Sequence, residues 1–371
     1  MGIKKVWKKV IIFVAFIALI PLVIYFLIRF TPKPPKEEME DARIALSEAA
    51  SSNADTYSRN IYREAKDLYD SAMRKWQAEN KRFLYFRNYD TVTYLAKQSE
   101  KKAFQAAKIS RNNVSDLSIT LKQKIDTLNK IVDRINKLFA AYPLSSEVRK
   151  NISKGEILLN ESRVAYNKGE YIQTRRKLSE SDRLLTSSYE IATTSLKEYF
   201  TRYPVWKKWA DNTIRESRQN QTYSIIIDKY SRKCDVYYGG IKKFEYTVEL
   251  GRNWVGDKRV KGDKATPEGM YRIIKKFGSN KTKYHKALLI NYPNDADLDE
   301  FKQEIAKGTL PKSAKIGNLI EIHGDGGRGI DWTEGCVALT NNEIDELFKV
   351  AKEGTPVTIV GSLISLDKIL D

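Results

Sequence analysis

The chain has 371 residues, 42% of them hydrophobic and 30% charged, which at roughly 150 residues per domain leaves room for two folded units and an appendage. Two cysteines and two histidines are too few for a disulfide-dense miniature fold, a four-cysteine cluster or a three-histidine site, so no metal is expected. The formal charge is +18, and about +16 of it lies before residue 221, which leaves the remainder close to neutral.

Residues 1–35 form the first segment. Lys4, Lys5, Lys8 and Lys9 precede an uncharged apolar run from Val10 to Ile28. At ~1.5 Å per residue that run approaches the ~30 Å hydrocarbon core of a bilayer. A transmembrane helix is expected over about residues 10–30, with Pro21 tolerated as a kink and the N-terminus in the cytoplasm by the positive-inside bias. A secretory signal peptide would carry a shorter apolar region closed by small residues, whereas this run closes in Leu27-Ile28-Arg29-Phe30. The expectation is a single-pass protein whose remainder lies in the periplasm or on the outer side of the membrane. There the basic surplus meets anionic headgroups and acidic wall polymers, and no nucleic-acid partner is expected. Thr31-Pro32-Lys33-Pro34-Pro35 is a stiff spacer that cannot continue the helix.

Residues 36–220 read as an all-helical stalk or bundle. The segment has few breakers, namely Pro143, Pro204, Gly155 and Gly169, and its apolar residues recur at helical spacing. One stripe is Ala65, Leu68, Ala72 and Trp76; a second is Leu121, Ile125, Leu128, Val132, Ile135 and Phe139; a third is Leu178, Leu185, Tyr189, Ala192 and Leu196. Turns are expected at Arg87-Asn88, Pro143-Leu144 and Asn167-Lys168-Gly169. Tyr89, Ala96, Ser99 and Ala103 match Tyr171, Leu178, Ser181 and Leu185 at a constant offset, the pattern of a helical hairpin used twice.

The periodicity changes near Gln221, and residues 221–371 read as a mostly-β domain. Strands are expected at Tyr223–Asp228, Lys233–Tyr238, Phe244–Leu250, Met270–Lys275, Lys286–Asn291, Asn318–Ile322 and Val357–Val360. Two helices interrupt them, Leu298–Lys307 and Asn342–Glu353, the second opened by a Thr340/Glu343 capping box. The fold class is therefore α + β multidomain.

One stretch carries the chemistry. Ile320-Glu321-Ile322-His323-Gly324 is followed by a glycine-rich loop and by Trp332-Thr333-Glu334-Gly335-Cys336-Val337-Ala338. A histidine closing a strand and a cysteine in a glycine turn are the parts that nucleophilic acyl transfer needs, because an imidazole beside a thiol raises its thiolate fraction. Gly335 permits a tight turn whose amides can face a developing oxyanion. The same spacing also fits a buried structural cysteine and an ordinary strand-end histidine.

The stretch resembles the active-site signature of the YkuD-type L,D-transpeptidases, a His-Gly strand end followed by a Ser/Thr-His-Gly-Cys turn. Thr266-Pro267-Glu268-Gly269-Met270-Tyr271 resembles the family's Thr-Pro-x-Gly-x-aromatic segment, and Leu289-Ile290-Asn291-Tyr292-Pro293-Asn294 its Tyr-Pro-Asn strand end. The likeness spans roughly residues 223–361. Glu334 stands where the general family has His, and Ala338 where it commonly has Arg; the wording from Asp331 to Ala338 is nearest the YafK-like branch.

The resemblance implies that Cys336 is the nucleophile and His323 the base, with the backbone of Thr333, Glu334, Gly335 and Cys336 as oxyanion donors. It implies no cofactor, since one imidazole can serve as acid and base. Gly324, Asn341 and Tyr284 are candidate substrate-binding residues; Asn341 equally fits a helix cap, His285 a surface histidine and Cys234 a packed core residue. The implied substrate is a peptidoglycan stem peptide, with a second stem peptide or a wall-linked protein as amine acceptor. Two alternatives stay open: a YafK-like hydrolase using the same Cys/His pair, and a wall-binding module without activity. Cys336 is expected to be a free thiol, not bridged to Cys234.

Overall fold

The computed structural model describes residues 3–370; Met1, Gly2, Asp371 and the side chains of Ile3, Lys4, Lys5, Val6, Lys9 and Val10 lie outside the described residues. The helices of the first part are α1 (Ile3–Arg29), α2 (Lys36–Ser51), α3 (Ala54–Tyr57), α4 (Arg59–Asn80), α5 (Asp90–Phe139), α6 (Ser146–Asn167), α7 (Tyr171–Phe200) and α8 (Tyr203–Asn220). The chain divides into two compact units, Met1–Lys124 with Val164–Arg175, and Ile125–Arg163 with Arg176–Asp371.

In the first unit, residues 11–29 of α1 are apolar and long enough to cross a bilayer, and none of that stretch is buried within the protein. α2, α4 and the start of α5 pack in two layers. Met39 and Ala42 meet Ala72, Tyr89, Val92 and Ala96 in one; Ala45, Ala49 and Ala54 meet Ala65, Ala103, Ala106 and Ala107 in the other. Alanine at these positions lets the helix axes approach closely. A buried hydroxyl bridges the gap, Ser99 Oγ donating to Ala65 O at 2.8 Å.

In the second unit, Ser181 Oγ donates to Gly155 O at 2.7 Å. Like Ser99, Ser181 thus reaches from its helix to a carbonyl of the preceding long helix. Glycine at 155 lets the helices approach, because a Cβ there would stand 2.7 Å from Leu185 Cγ. The expected stripes are the buried faces of their helices, Leu128, Leu185, Ala192 and Leu196 being almost wholly enclosed.

The second unit also holds β1 (Tyr223–Asp228), β2 (Lys233–Tyr238), β3 (Ile241–Thr247), β4 (Gly269–Phe277), β5 (Ala287–Ile290), α9 (Asp295–Ala306), β6 (Glu321–His323), β7 (Val337–Ala338), α10 (Asn341–Val350), β8 (Pro356–Val360) and α11 (Leu366–Leu370). The strands form one eight-stranded sheet in the order β3-β2-β1-β8-β4-β5-β6-β7. β1/β8 and β6/β7 are parallel and the other neighbours antiparallel. Ile225, Ile226, Ile227, Val357 and Ile359 fill its centre with no exposed surface.

Several boundaries differ from the sequence expectation. β3 starts at Ile241 and stops at Thr247, because Glu249 leaves the strand to pair with Ala338. α9 starts at Asp295, where Asn294 and Asp297 form a reciprocal capping box. β7 has two residues, too short to register as a periodic pattern.

α8 lies against β1, β2 and β8, and a buried polar cluster joins the helices to the sheet. Lys229 and Glu268, both fully buried, pair at 2.9 Å. Glu268 also accepts from Tyr199 Oη at 2.8 Å and Trp206 Nε1 at 2.9 Å. Lys229 donates in addition to the carbonyls of Gly256 and Thr266. A charged pair without water needs its remaining donors and acceptors filled, and here residues of α7, α8 and the Thr266–Glu268 turn fill them together.

Candidate active site

Strand pairing brings the two ends of the candidate motif together. β6 and β7 run parallel with Ile322 opposite Val337 and His323 opposite Ala338, so Cys336 enters β7 beside Glu321. Side chains alternate along a strand, which puts Cys336 and His323 on the same side of the pair. The Leu339 amide donates to His323 O at 2.8 Å and the Ala338 amide to Glu249 O at 2.8 Å, tying the far side of the turn.

His323 is fully buried. Its Nδ1 lies 2.6 Å from Gly324 O, a carbonyl partner that places the proton on Nδ1 and leaves Nε2 as the basic nitrogen. Nε2 is buried with no hydrogen-bond partner among the described residues. Tyr284 stacks flat on the imidazole, centroids 3.5 Å apart, and Trp332 meets it edge-on at 5.9 Å. Burial pulls the imidazole down to about 4, so it is neutral at neutral pH.

The Cys336 thiol points at Leu319 O, 3.8 Å away, and both cysteines are free. Burial raises the Cys336 thiol, partly offset by a hydrogen bond from the Glu321 backbone. Both shifts favour neutral partners. Desolvation thus penalises a resting thiolate–imidazolium pair at this place.

Cys336 lies on a cleft of about 440 Å³ lined also by Tyr284, Trp332, Thr333, Glu334 and the lysines Lys258, Lys261 and Lys283. Lys258 is engaged with Asp263 at 2.6 Å, and Lys283 lies over the Tyr284 ring. The cleft thus combines a thiol, an aromatic wall and positive charge.

The turn before Cys336 is held by its own atoms. Thr333 Oγ1 donates to Cys336 O at 2.7 Å and accepts from the Gly335 amide at 3.2 Å, while the Thr333 amide donates to Leu250 O at 3.1 Å. The N–H groups of Thr333 and Gly335, expected as oxyanion donors, have partners within this turn. Among the described residues, no hydrogen bond takes the amides of Glu334 or Cys336. Gly335 adopts φ +131°, and a Cβ there would stand 2.6 Å from Ala265 O, so no other residue fits without displacement.

The other candidates separate. Tyr284 touches the imidazole and lines the cleft. Gly324 and Asn341 do not line it: Asn341 Oδ1 accepts from the Asp325 amide at 2.7 Å, and a Cβ on Gly324 would strike that same oxygen. They hold the chain just after His323, and Thr340, not Asn341, caps α10. His285 pairs with Asp345 at 2.9 Å away from the cleft. Cys234 is fully buried in β2, its thiol pushed far up by desolvation.

Three residues that sequence reasoning did not single out brace the loop between the histidine and the cysteine. Buried Glu249 accepts from Trp332 Nε1 at 2.7 Å and from the Gly329 amide at 2.5 Å. Asp331 accepts from the Leu250 amide and from Arg232, and Arg232 lies 4.2 Å over the Trp254 ring. Nothing local marks Glu249 or Arg232, since each lies some 80 to 100 residues from its partner.

Residues 222–359 match the family model described as YkuD, the L,D-transpeptidase catalytic domain. The Escherichia coli (strain K12) protein named "Putative L,D-transpeptidase YafK" is 28% identical over 129 residues, 34% of this chain and 45% of that protein. The chain thus spans less than half the length of that curated relative. Among solved structures, Bd1075 of Bdellovibrio bacteriovorus is 27% identical, with 40% of this chain and 52% of that one covered at a TM-score of 0.31. An L,D-transpeptidase from Mycobacterium smegmatis is 10% identical, with 37% and 58% covered at a TM-score of 0.25.

Proposed function

From a YkuD L,D-transpeptidase catalytic domain in residues 222–359, we propose that the chain is a membrane-anchored peptidoglycan L,D-transpeptidase working through a cysteinyl thioester. What supports this reading is the pairing of β6 with β7, in which Cys336, lining a cleft, falls on the same side as the buried His323 imidazole, whose Nε2 has no hydrogen-bond partner among the described residues. An orphaned buried nitrogen costs stability that a merely structural histidine would recover by bonding.

In the reaction, His323 Nε2 takes the thiol proton as Sγ attacks the stem-peptide carbonyl that joins an L-centre to a D-residue. The amides of Glu334 and Cys336 are the donors left to oppose the oxyanion. Collapse breaks the C–N bond, the imidazolium returns its proton to the departing D-amino acid, and a thioester remains. An amine from a second stem peptide or a wall-linked protein then attacks the thioester, and the thiol is regenerated. The lysines of the cleft favour a substrate that carries carboxylates. α1 anchors the chain with its N-terminus inside, residues 36–220 form the helical stalk, and the catalytic domain works on the outer side of the cytoplasmic membrane.

The test is intact-mass measurement after incubation with a carbapenem, an acylating probe of the thiol. The expected result is a single adduct on the wild-type chain and none on Cys336→Ala; a wild-type chain that stays unmodified overturns the proposal. Muropeptide profiling of sacculi treated with the protein then reads the acceptor: new cross-links mean an amine, and released fragments mean water, the YafK-like hydrolase outcome.

A further inference from the structure

The turn between α4 and α5 presents Lys81-Arg82-Phe83-Leu84-Tyr85-Phe86-Arg87. Phe83 and Phe86 are 68% and 70% exposed, with Leu84 and Tyr85 also open to solvent. The rings gather at the tip: Phe83 lies 6.0 Å from Tyr85 and 5.9 Å from Phe86, centroid to centroid. The turn is held in shape. The Arg87 guanidinium donates to the carbonyls of Arg82 and Asn80, both at 3.0 Å, the Asn88 amide donates to Glu79, and Tyr89 Oη donates to Asn80 Oδ1 at 2.7 Å. A braced turn that offers aromatic rings to water, with Lys81 and Arg82 exposed beside them, keeps an apolar surface for something other than its own core.

Packing shows which end of the bundle carries it. Met39 near the start of α2 shares a layer with Met73 and Trp76 near the end of α4 and with Tyr89 and Val92 at the start of α5. Ala45 and Ala49 share the next layer with Ala65 and Ala103. α2 and α5 therefore run alike and α4 runs back, so the α4–α5 turn lies at the end where α2 begins. That end is joined to α1 by only the residues between Arg29 and Lys36, which reach at most about 25 Å.

We propose that this turn is a second membrane contact, its rings seated at the headgroup–acyl boundary of an anionic phospholipid leaflet and its cations among the headgroups. Aromatic side chains partition to that boundary, and lysine and arginine are attracted to anionic lipid over a Debye length. The proposal rests on α1 crossing the bilayer. With α1 it makes two points of attachment, which fix the tilt of the first unit where α1 alone would leave a swivel behind a short proline-rich spacer.

The test uses the full chain in liposomes of phosphatidylcholine with and without phosphatidylglycerol. Nitroxide labels are placed singly at Phe16→Cys, Thr56→Cys, Phe83→Cys and Phe86→Cys in a Cys336→Ala background, and collision with oxygen and with a water-soluble nickel chelate is read by paramagnetic resonance. Phe16 reports α1, and Thr56, exposed in α3 at the opposite end, reports bulk water. The expected result is an oxygen-to-nickel ratio at residues 83 and 86 at least threefold above that at residue 56, reduced without the anionic lipid or by Lys81→Glu with Arg82→Glu. An aqueous ratio at 83 and 86 with Phe16 in lipid overturns the proposal, as does shielding from both reagents, which would mean a protein partner. An aqueous Phe16 instead removes the premise that α1 spans the bilayer.

Discussion

At the scale of single residues, Gly335 and His323 show how backbone shape and burial set the chemistry of Cys336. Gly335→Ala forces a Cβ onto Ala265 O at a φ that side chains avoid, a strain of about 1–3 kcal/mol. Carbapenem acylation of that variant should fall by at least tenfold while its circular dichroism stays native; unchanged acylation would show that the turn tolerates a side chain. The neutral state of the pair makes a second prediction. Iodoacetamide alkylation of Cys336 should rise about tenfold per pH unit to beyond the ordinary cysteine value, with no plateau below pH 7, because the thiol is raised and the imidazole lowered to about 4. A plateau near pH 5 would reveal a preformed thiolate–imidazolium pair. The same lowered imidazole contributes stability that is present above its unfolded value near 6.5 and lost as pH falls through about 4, up to about 3 kcal/mol. Urea unfolding at pH 7.5 and 4.5 should show a smaller acid loss in His323→Gln than in wild type.

At the scale of elements, the end of α7 and the start of α8 belong energetically to the sheet. Glu268→Gln leaves buried Lys229 without its counter-charge, a loss of about 3–5 kcal/mol that should lower the denaturant midpoint; an unchanged midpoint would mean that the pair is neutral in effect. A truncated chain beginning at residue 221 lacks Tyr199 and Trp206, whose rings lie against Gly361 and whose polar atoms bond Glu268. It should melt cooperatively only when residues from about 176 onward are restored, as read by calorimetry. The sequence change near Gln221 marks where the hydrophobic period switches from helical to strand-like, a local property. Which helices share a core with the strands is a property of packing, and no local pattern records it.

At the scale of the whole molecule, α1 is apolar over residues 11–29 and long enough to cross a bilayer, which makes membrane attachment testable. Removing residues 1–30 should change the protein from resistant to extractable when membranes are washed with alkaline carbonate, while leaving carbapenem acylation unchanged; a full-length chain that the wash extracts would mean that α1 is removed or does not span.

The sequence by itself determined the properties carried by short-range patterns: an apolar run of membrane-spanning length, the helical stripes with their turns at residues 87–88, 143–144 and 167–169, most strands of the second unit, and the motif around His323 and Cys336. These are legible because periodicity, capping and glycine turns act between neighbours in the chain. Only the tertiary structure decided that two-residue β7 pairs with β6, that Tyr284 stacks on the imidazole, that Glu249 and Arg232 brace the loop, and that Thr333 and Gly335 use their amides to close the turn. It also decided that burial raises the thiol and lowers the imidazole. Each of these depends on groups far apart in sequence coming together where water is excluded, and desolvation, which sets both the proton affinities and the hydrogen-bond partners, is a property of that assembled surrounding.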